Sequence, residues 1–364
     1  MKINYLLLLI PVLYFSCTKD EGVKEDIAVG VGDLVLESSS YKLPLNEYGV
    51  ATLKTYSYLF HEFYPLSGQC EYYVNGQRLD SAIFRPLTTG VYTLQSVYKN
   101  LKSNTIQIEV EEPLNKKVLI ELFTSRICGF CPWIALRMDS LHNANPKVIS
   151  YSIHGQDELE INETHEFQHY LQVFERPSVR IERGYVRDYA APIEMGRLID
   201  SVHQFLSVQP KLEIAIQTSM QGNKVSGKVS CKYYEKIFED LYLTIVLVED
   251  GVITQNQYNY FSGYPKPSHG GPYISLPFYL PDYENHNVLR KFLTDPRGNK
   301  INKVDFFNTA PQDVAPFEIE IGQDIDPSNS WIIAIVHKRR DSIEASSVLN
   351  SQIVKVGETV DFSD

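Results

Sequence analysis

Residues 118–133, VLIELFTSRICGFCPW, join an apolar run to two cysteines three positions apart, in a chain of 364 residues with only five cysteines. Taken with its leading lysines as KKVLIELF (116–123), the run is almost continuously apolar, the mark of a strand covered on both faces. Behind the cysteines, Ile134, Met138 and Leu141 recur at i, i+4 and i+7, which predicts a helix to about His142. The pair therefore falls where a buried strand gives way to a helix. A helix N-terminus stabilises an anion, so a Cys128 thiolate gains there and its pKa falls toward working pH. In that role Cys128 attacks, and Cys131, one turn on, is the resolving thiol that closes the disulfide. Pro132 is tolerated because first-turn amides have no intrahelical acceptor.

Working outward, KVISYSIH (147–154) reads as a second buried strand, and Phe167, Tyr170, Leu171 and Phe174 as a second amphipathic helix. PSVRIERGYV (177–186) reads as two short strands around a turn at Arg183 and Gly184. Met195, Leu198, Ile199, Val202 and Phe205 mark a third helix, begun near Pro192, a favoured first-turn residue. Strand, helix, strand, helix, strand, strand, helix is the minimal thioredoxin-like layout, with the cysteine pair where that fold carries it. Arg176-Pro177-Ser178 stands just before the third strand, where thioredoxin-like domains hold a cis-proline facing the cysteines. Only about one X–Pro bond in twenty is cis, so this assignment to Pro177 rests on position in the layout. A cis-proline there leaves the preceding backbone free to pair with an extended substrate and keeps metal from the cysteines. In thioredoxins a buried acid on the strand leading into the pair helps deprotonate the resolving cysteine, and Glu121 is the candidate for that role toward Cys131 if the connecting loop is one residue longer. The plainer reading of Glu121 is an exposed carboxylate at a strand end.

Two other uses of the cysteines compete. A zinc site needs two further ligands, and no second CxxC or Cys–His pair exists; Cys70 and Cys231 stand alone in other parts of the chain. A permanent disulfide is the stronger rival, because outside the cytoplasm the pair is oxidised by default. HEFQH (165–169) matches the HExxH pattern of zinc metalloproteases. At 100° per residue, however, His165 and His169 lie opposite the apolar stripe of their helix and face outward, and third ligands such as Glu182 or Glu194 belong to elements already used. A solvated helix face is the better account. His154, Glu158 and Glu160 follow the second strand and are placed to line the edge that carries the cysteines; loop polarity explains them equally well. His269 and His286, in the insertion described below, imply no site alone. No cofactor and no metal is expected.

The N-terminus, MKINYLLLLIPVLYFSC (1–17), has one basic residue and then an apolar run from Tyr5 to Phe15, too short to span a bilayer permanently. It reads as a signal peptide of the bacterial lipoprotein type, ending at Ser16 so that Cys17 becomes the acylated, anchored residue; the rival reading is an ordinary signal peptide cut nearby, which leaves Cys17 incidental. The acidic KDE at 19–21 resembles the surface-export signal of Bacteroidota lipoproteins, and 17–32 reads as a tether. Residues 33–112 carry only strand signals, among them ATLKTYSYLF and VYTLQSVYK, with Asn75-Gly76 as a hairpin turn, which together predict an immunoglobulin-like β-sandwich. After residue 208 the chain is β again, through KLEIAIQT, KVSGKVSCKYY, LYLTIVLVED, FEIEI, SWIIAIVHK and SQIVKV. An irregular insertion rich in Pro, Gly, Tyr and His, residues 253–315, interrupts this second sandwich. Net charge is −11, which argues against nucleic acid as a partner; at 43% hydrophobic and 22% charged residues the chain is an ordinary globular one.

Four blocks in order carry a family resemblance: VLIELFTSRICGFCP, RPSVRIERG, YENHNVLRKFLTDPRGNKI and WIIAIVHKRRDSIEASSVLNSQIVKV. They resemble the outer membrane protein 28-related family of Bacteroidota lipoproteins, over roughly residue 116 to the C-terminus. The resemblance implies a thioredoxin-like domain followed by a β-domain on an outer-membrane lipoprotein, surface-exposed, with an adhesin or receptor role. Carried over residue by residue, only Cys128, Cys131 and Pro177 have mechanistic meaning. Ile127 and Phe130 depart from thioredoxin, which has tryptophan and proline at those places, so reactivity and potential are not inherited. The expected architecture is multidomain, α/β plus all-β: a central thioredoxin-like domain (113–208) between an N-terminal Ig-like sandwich (33–112) and a C-terminal β-sandwich (209–364). The expected function is thiol–disulfide exchange on extracytoplasmic proteins, with protein thiols or disulfides as partners. Next in order come a non-enzymatic adhesion or ligand-binding protein, whose CxxC is residual or structural, and then a metalloprotease.

Overall fold

A computed structural model describes residues 33–45, 49–59, 62–184, 192–234, 237–263, 270–302, 310–339 and 348–362, without the side chains of 192–195. The signal segment, Cys17 and the tether lie outside the described residues. Within residues 33–112 two sheets face each other. One is built on Asp33–Ser38, Ala51–Leu59 and Glu62–Pro65, the other on Lys42–Pro44, Ile106–Glu111, Gly90–Tyr98, Glu71–Val74 and Gln77–Leu79. Alternation sets their core: Leu36, Leu43, Leu53, Tyr72, Leu94 and Ile108 point inward, and polar neighbours point out. Asn75 and Gly76 take φ values of 47° and 81°, the paired positive angles that a tight two-residue hairpin requires.

The central segment runs β1 (Val118–Thr124), α1 (Cys131–Ala144), β2 (Val148–His154), α2 (Thr164–Tyr170), β3 (Ser178–Ile181) and α3 (Pro192–Leu206). β1 and β2 are parallel and buried along their whole length, and β3 pairs antiparallel on the other side of β1. The strand expected from residue 185 onward lies outside the described residues. Val118, Ile120 and Leu122 of β1 meet Trp133, Ile134 and Met138 of α1 and Leu198, Val202 and Leu206 of α3. Leu119 and Phe123, on the opposite face of β1, pack on Phe167 and Leu171 at α2.

The chain continues through β4 (Leu212–Gln221), β5 (Lys224–Tyr233), β6 (Leu241–Glu249), β7 (Val252–Tyr258), β8 (Tyr279–Asn285), β9 (Val288–Phe292), β10 (Gln312–Glu320), β11 (Ser330–Lys338) and β12 (Val348–Lys355). Sheet order departs from three separate units. β9 joins the edge of β2 in parallel and pairs antiparallel with β6, giving one eight-stranded sheet ordered β3-β1-β2-β9-β6-β11-β12, with Asn299–Lys300 beside β6. The sheet thus crosses the boundary expected at 208/209. It also curls: the Val348 amide donates to the Glu182 carbonyl at 3.4 Å, bringing β12 back to the end of β3.

A second sheet of β10, β5, β4 and Thr359–Val360 covers β6 and β11, with Ile214, Val229, Phe317, Leu243, Ile245 and Ile332 between the layers. Residues 253–315, expected to be irregular, supply most of β7, all of β8 and β9, and part of β10. Their polar and aromatic composition hides strands that are short or lie on the surface. Among the described residues no helix is long and apolar enough to cross a membrane.

Candidate functional site: the Cys128–Cys131 loop and its strap

β1 ends at Thr124, and the next turn carries Cys128 to the first residue of α1, Cys131. The Cys128 amide donates to the Ser125 carbonyl at 3.0 Å, and the Cys131 amide to the Cys128 carbonyl at 3.2 Å. The two sulfurs are bonded, with the Cα atoms 5.4 Å apart. Cover separates the partners: Cys128 is half-buried, whereas Cys131 is 1% exposed. Cys128 is thus the more accessible residue of the pair. The first turn of α1 has no acidic residue to offset the positive end of the helix dipole. Pro132 sits in that turn, where it removes no intrahelical hydrogen bond.

The loop is held from below by Asp157. Its carboxylate accepts from the Arg126 amide at 2.7 Å, from the Leu159 amide at 3.0 Å and from His154 Nδ1 at 2.8 Å. Burial alone would raise the Asp157 pKa, but these bonds outweigh it and keep the carboxyl below its usual range. Glu158 pairs with the Arg126 guanidinium at 2.9 Å, and Glu160 accepts from the Gln156 amide. The residues after β2 therefore brace the loop, and Asp157, which the sequence did not single out, is its main anchor. Pro177 is buried, in a cis peptide bond with Arg176, and precedes the Ser178–Phe123 register pair at the end of β1. Arg176 Nε donates to the Thr124 carbonyl at 3.0 Å, which ties this segment to the start of the cysteine loop.

Above the loop lies the insertion. The Tyr258 amide donates to the Arg126 carbonyl at 2.9 Å and the Tyr260 amide to the Gly129 carbonyl at 3.0 Å. Between them Gln257 Nε2 donates to the Cys128 carbonyl at 3.1 Å. A Cβ on Gly129 would lie 2.2 Å from the Tyr260 ring, so a glycine between the cysteines is what allows this approach. Phe130 meets Tyr260 and Phe261 edge-on, at centroid distances of 5.3 and 5.4 Å. The strap is fixed by Asn259, fully buried, whose side chain donates to the Tyr273 and Pro277 carbonyls and accepts from the Phe261 amide.

The role expected of Glu121 is not supported. Glu121 shares its face of β1 with Leu119 and Phe123, away from α1 and Cys131, because side chains alternate along a strand. It is fully buried and accepts from Tyr151 at 2.6 Å and from Arg183 Nε at 3.2 Å. Arg183 also donates to Thr244 and to His337 Nε2, which crosses the curled sheet from β1 to β6 and β11. Burial and the Arg183 charge push the His337 pKa well down, so its Nε2 stays a neutral acceptor. Nor is Glu121 the exposed carboxylate of the plainer reading.

The remaining candidates scatter. His165 and His169 are exposed and 4.5 Å apart ring to ring, while Glu166 between them pairs with Arg297 at 2.6 Å. Among the described residues no three His, Cys, Asp or Glu side chains are arranged to hold a metal. Cys70 and Cys231 are separate free thiols, and burial pushes Cys231 up to about 12. His269 lies outside the described residues. His286 bonds to Asp250 at 2.8 Å and faces Asp139 of α1 at 3.9 Å. The Asp250 bond raises His286 to about 9, and burial raises Asp139 to about 6.

No curated protein matches the chain. Among solved structures, one described as HBP35 of Porphyromonas gingivalis superposes with a TM-score of 0.49 at 17% identity, over 68% of this chain and 77% of that one. A family described as outer membrane protein Omp28 matches residues 164–360, more than half of the chain. That match takes in Pro177 and the strap and begins after the two cysteines. The chain belongs to the outer membrane protein Omp28 family.

Proposed function

We propose that the protein is an outer-membrane lipoprotein whose thioredoxin-like segment exchanges thiols and disulfides with extracytoplasmic proteins through Cys128 and Cys131. One observation carries the reading: a disulfide at a helix N-terminus that joins a partly exposed cysteine, Cys128, to a buried one, Cys131. The parallel β1–β2 pair, the antiparallel β3 and the placement of Pro177 beside the end of β1 support the thioredoxin-like reading. In the oxidised protein a substrate thiolate attacks Cys128 Sγ, the Cys128–Cys131 bond breaks, and Cys131 leaves as the thiolate. A second substrate thiol then displaces Cys128, so the substrate gains a disulfide and the protein holds two thiols. The reverse sequence reduces a substrate disulfide.

An insulin-reduction assay with dithiothreitol as electron donor tests the chemistry. Turnover by the ectodomain is expected to vanish in Cys128→Ser, whereas Cys131→Ser accumulates a mixed disulfide on Cys128. Equal rates in the unaltered protein and Cys128→Ser contradict the proposal. The anchor has its own test, since Cys17→Ser should move the chain from the membrane to the soluble fraction. Retention in the membrane contradicts it.

A further inference from the structure

We propose that the insertion strap, with Ile127 and Phe130, forms a wall that selects extended polypeptide segments whose cysteine is flanked by aromatic or aliphatic side chains. This names the substrate class of the exchange site and rests on that reading. Ile127, Phe130, Tyr260, Leu276, Phe278 and Tyr279 are each between 40% and 51% exposed. The four rings among them form one surface: Phe130 meets Tyr260 at 5.3 Å, Tyr260 stacks on Phe278 at 5.6 Å, and Phe278 meets Tyr279 at 4.8 Å. Exposed rings gathered in this way mark an interaction site rather than scattered surface residues. The Tyr260 ring lies directly against Gly129, so the surface begins beside Cys128.

Two further observations define the occupant. The carbonyls of Arg126, Cys128 and Gly129 already accept from Tyr258, Gln257 and Tyr260 of the strap. The strap thus competes with a substrate main chain along that stretch of loop, which shifts selection toward substrate side chains. None of the six patch residues is charged, and the nearby Arg126 is occupied by Glu158, which leaves an apolar neighbour of the reacting cysteine as the fitting partner. The buried Asn259 holds the strap in place, so the rings are ordered before a substrate arrives.

The test uses the reduced ectodomain and two pentapeptides, each a mixed disulfide with 2-mercaptoethanol. One has Phe and Leu beside its cysteine, the other Ser and Gly. Cys128 attacks the peptide sulfur, 2-mercaptoethanol leaves, and Cys131 then releases the peptide thiol; the protein dithiol loses two electrons and the mixed disulfide gains them. The Phe–Leu peptide is expected to react about tenfold faster, the size of effect that ring contacts give. That ratio should fall to about one when Tyr260→Ser and Phe278→Ser are combined, each peptide rate being divided by the same variant's rate with 2-hydroxyethyl disulfide. Equal peptide rates in the unaltered protein, with 2-hydroxyethyl disulfide still consumed, overturn the wall and leave the exchange reading standing. If the native protein consumes neither peptide nor 2-hydroxyethyl disulfide while the unfolded chain does, the exchange reading fails and the wall with it. A measurement free of any variant uses the Phe–Leu peptide with serine replacing cysteine as a competitor. It is expected to slow the reaction where its Ser–Gly counterpart does not, and equal effects of the two overturn the proposal.

Discussion

Cys128 is partly exposed and Cys131 buried, and in the proposed exchange that difference assigns the attacking role to Cys128 and the resolving role to Cys131. Both positions were legible in the sequence, because an apolar strand followed by a helical period places a CxxC with little ambiguity. The face occupied by Glu121 was not. In a strand buried on both sides, alternation of polarity disappears, and nothing local says which side a lone carboxylate takes. Asp139 carries a prediction at this scale. Burial raises its folded pKa from the ordinary carboxylate value to about 6, so the neutral form is favoured in the fold. Its contribution to stability is therefore full below about pH 4 and is lost as pH rises through about 6. Asp139→Asn should lose less stability than the unaltered protein between pH 5 and pH 8, by on the order of 1–2 kcal/mol. Urea midpoints at the two pH values check this, and parallel declines in both proteins contradict it.

The strap is the element that a sequence reading could not find. Its contacts join residues some 130 positions apart, and Gln257 and Asn259 act through carbonyls, which have no sequence signature. Tyrosines and prolines in a long polar stretch read as loop, although that stretch holds whole strands of both the main sheet and the strap hairpin. Helix α1, by contrast, was readable nearly to its end, observed at Ala144, because Ile134, Met138 and Leu141 keep a helical period. The close approach of strap and cysteine loop depends on Gly129. Gly129→Ala places a methyl group inside the Tyr260 ring and should cost about 1–3 kcal/mol through overpacking. It should also speed proteolysis within residues 253–280. An unchanged urea midpoint and an unchanged cleavage rate would show that the strap does not bear on the loop.

Across the whole molecule, the strands of the central segment join β9, β6, β11 and β12 of the C-terminal part in one curled sheet, which a second sheet covers. Sequence patterns give strands but not their neighbours, so a reading from periodicity alone divides the chain where its composition changes. The Glu121–Arg183–Thr244–His337 network is buried and links β1 to β6 and β11 across that curled sheet. Arg183→Ala strands a buried carboxylate and should destabilise the ectodomain by about 3–5 kcal/mol; Glu121→Gln combined with Arg183→Met should recover most of the loss. A cost below about 1 kcal/mol for Arg183→Ala, typical of an exposed pair, would show that the network is not closed to water. The central claim, that this fold holds the Cys128–Cys131 pair ready to exchange, is tested most directly by equilibrating the ectodomain against dithiothreitol and measuring the fraction of disulfide. The account predicts a reduction potential above about −300 mV, in the range of exchanging pairs; a value well below that, where structural disulfides lie, would contradict it.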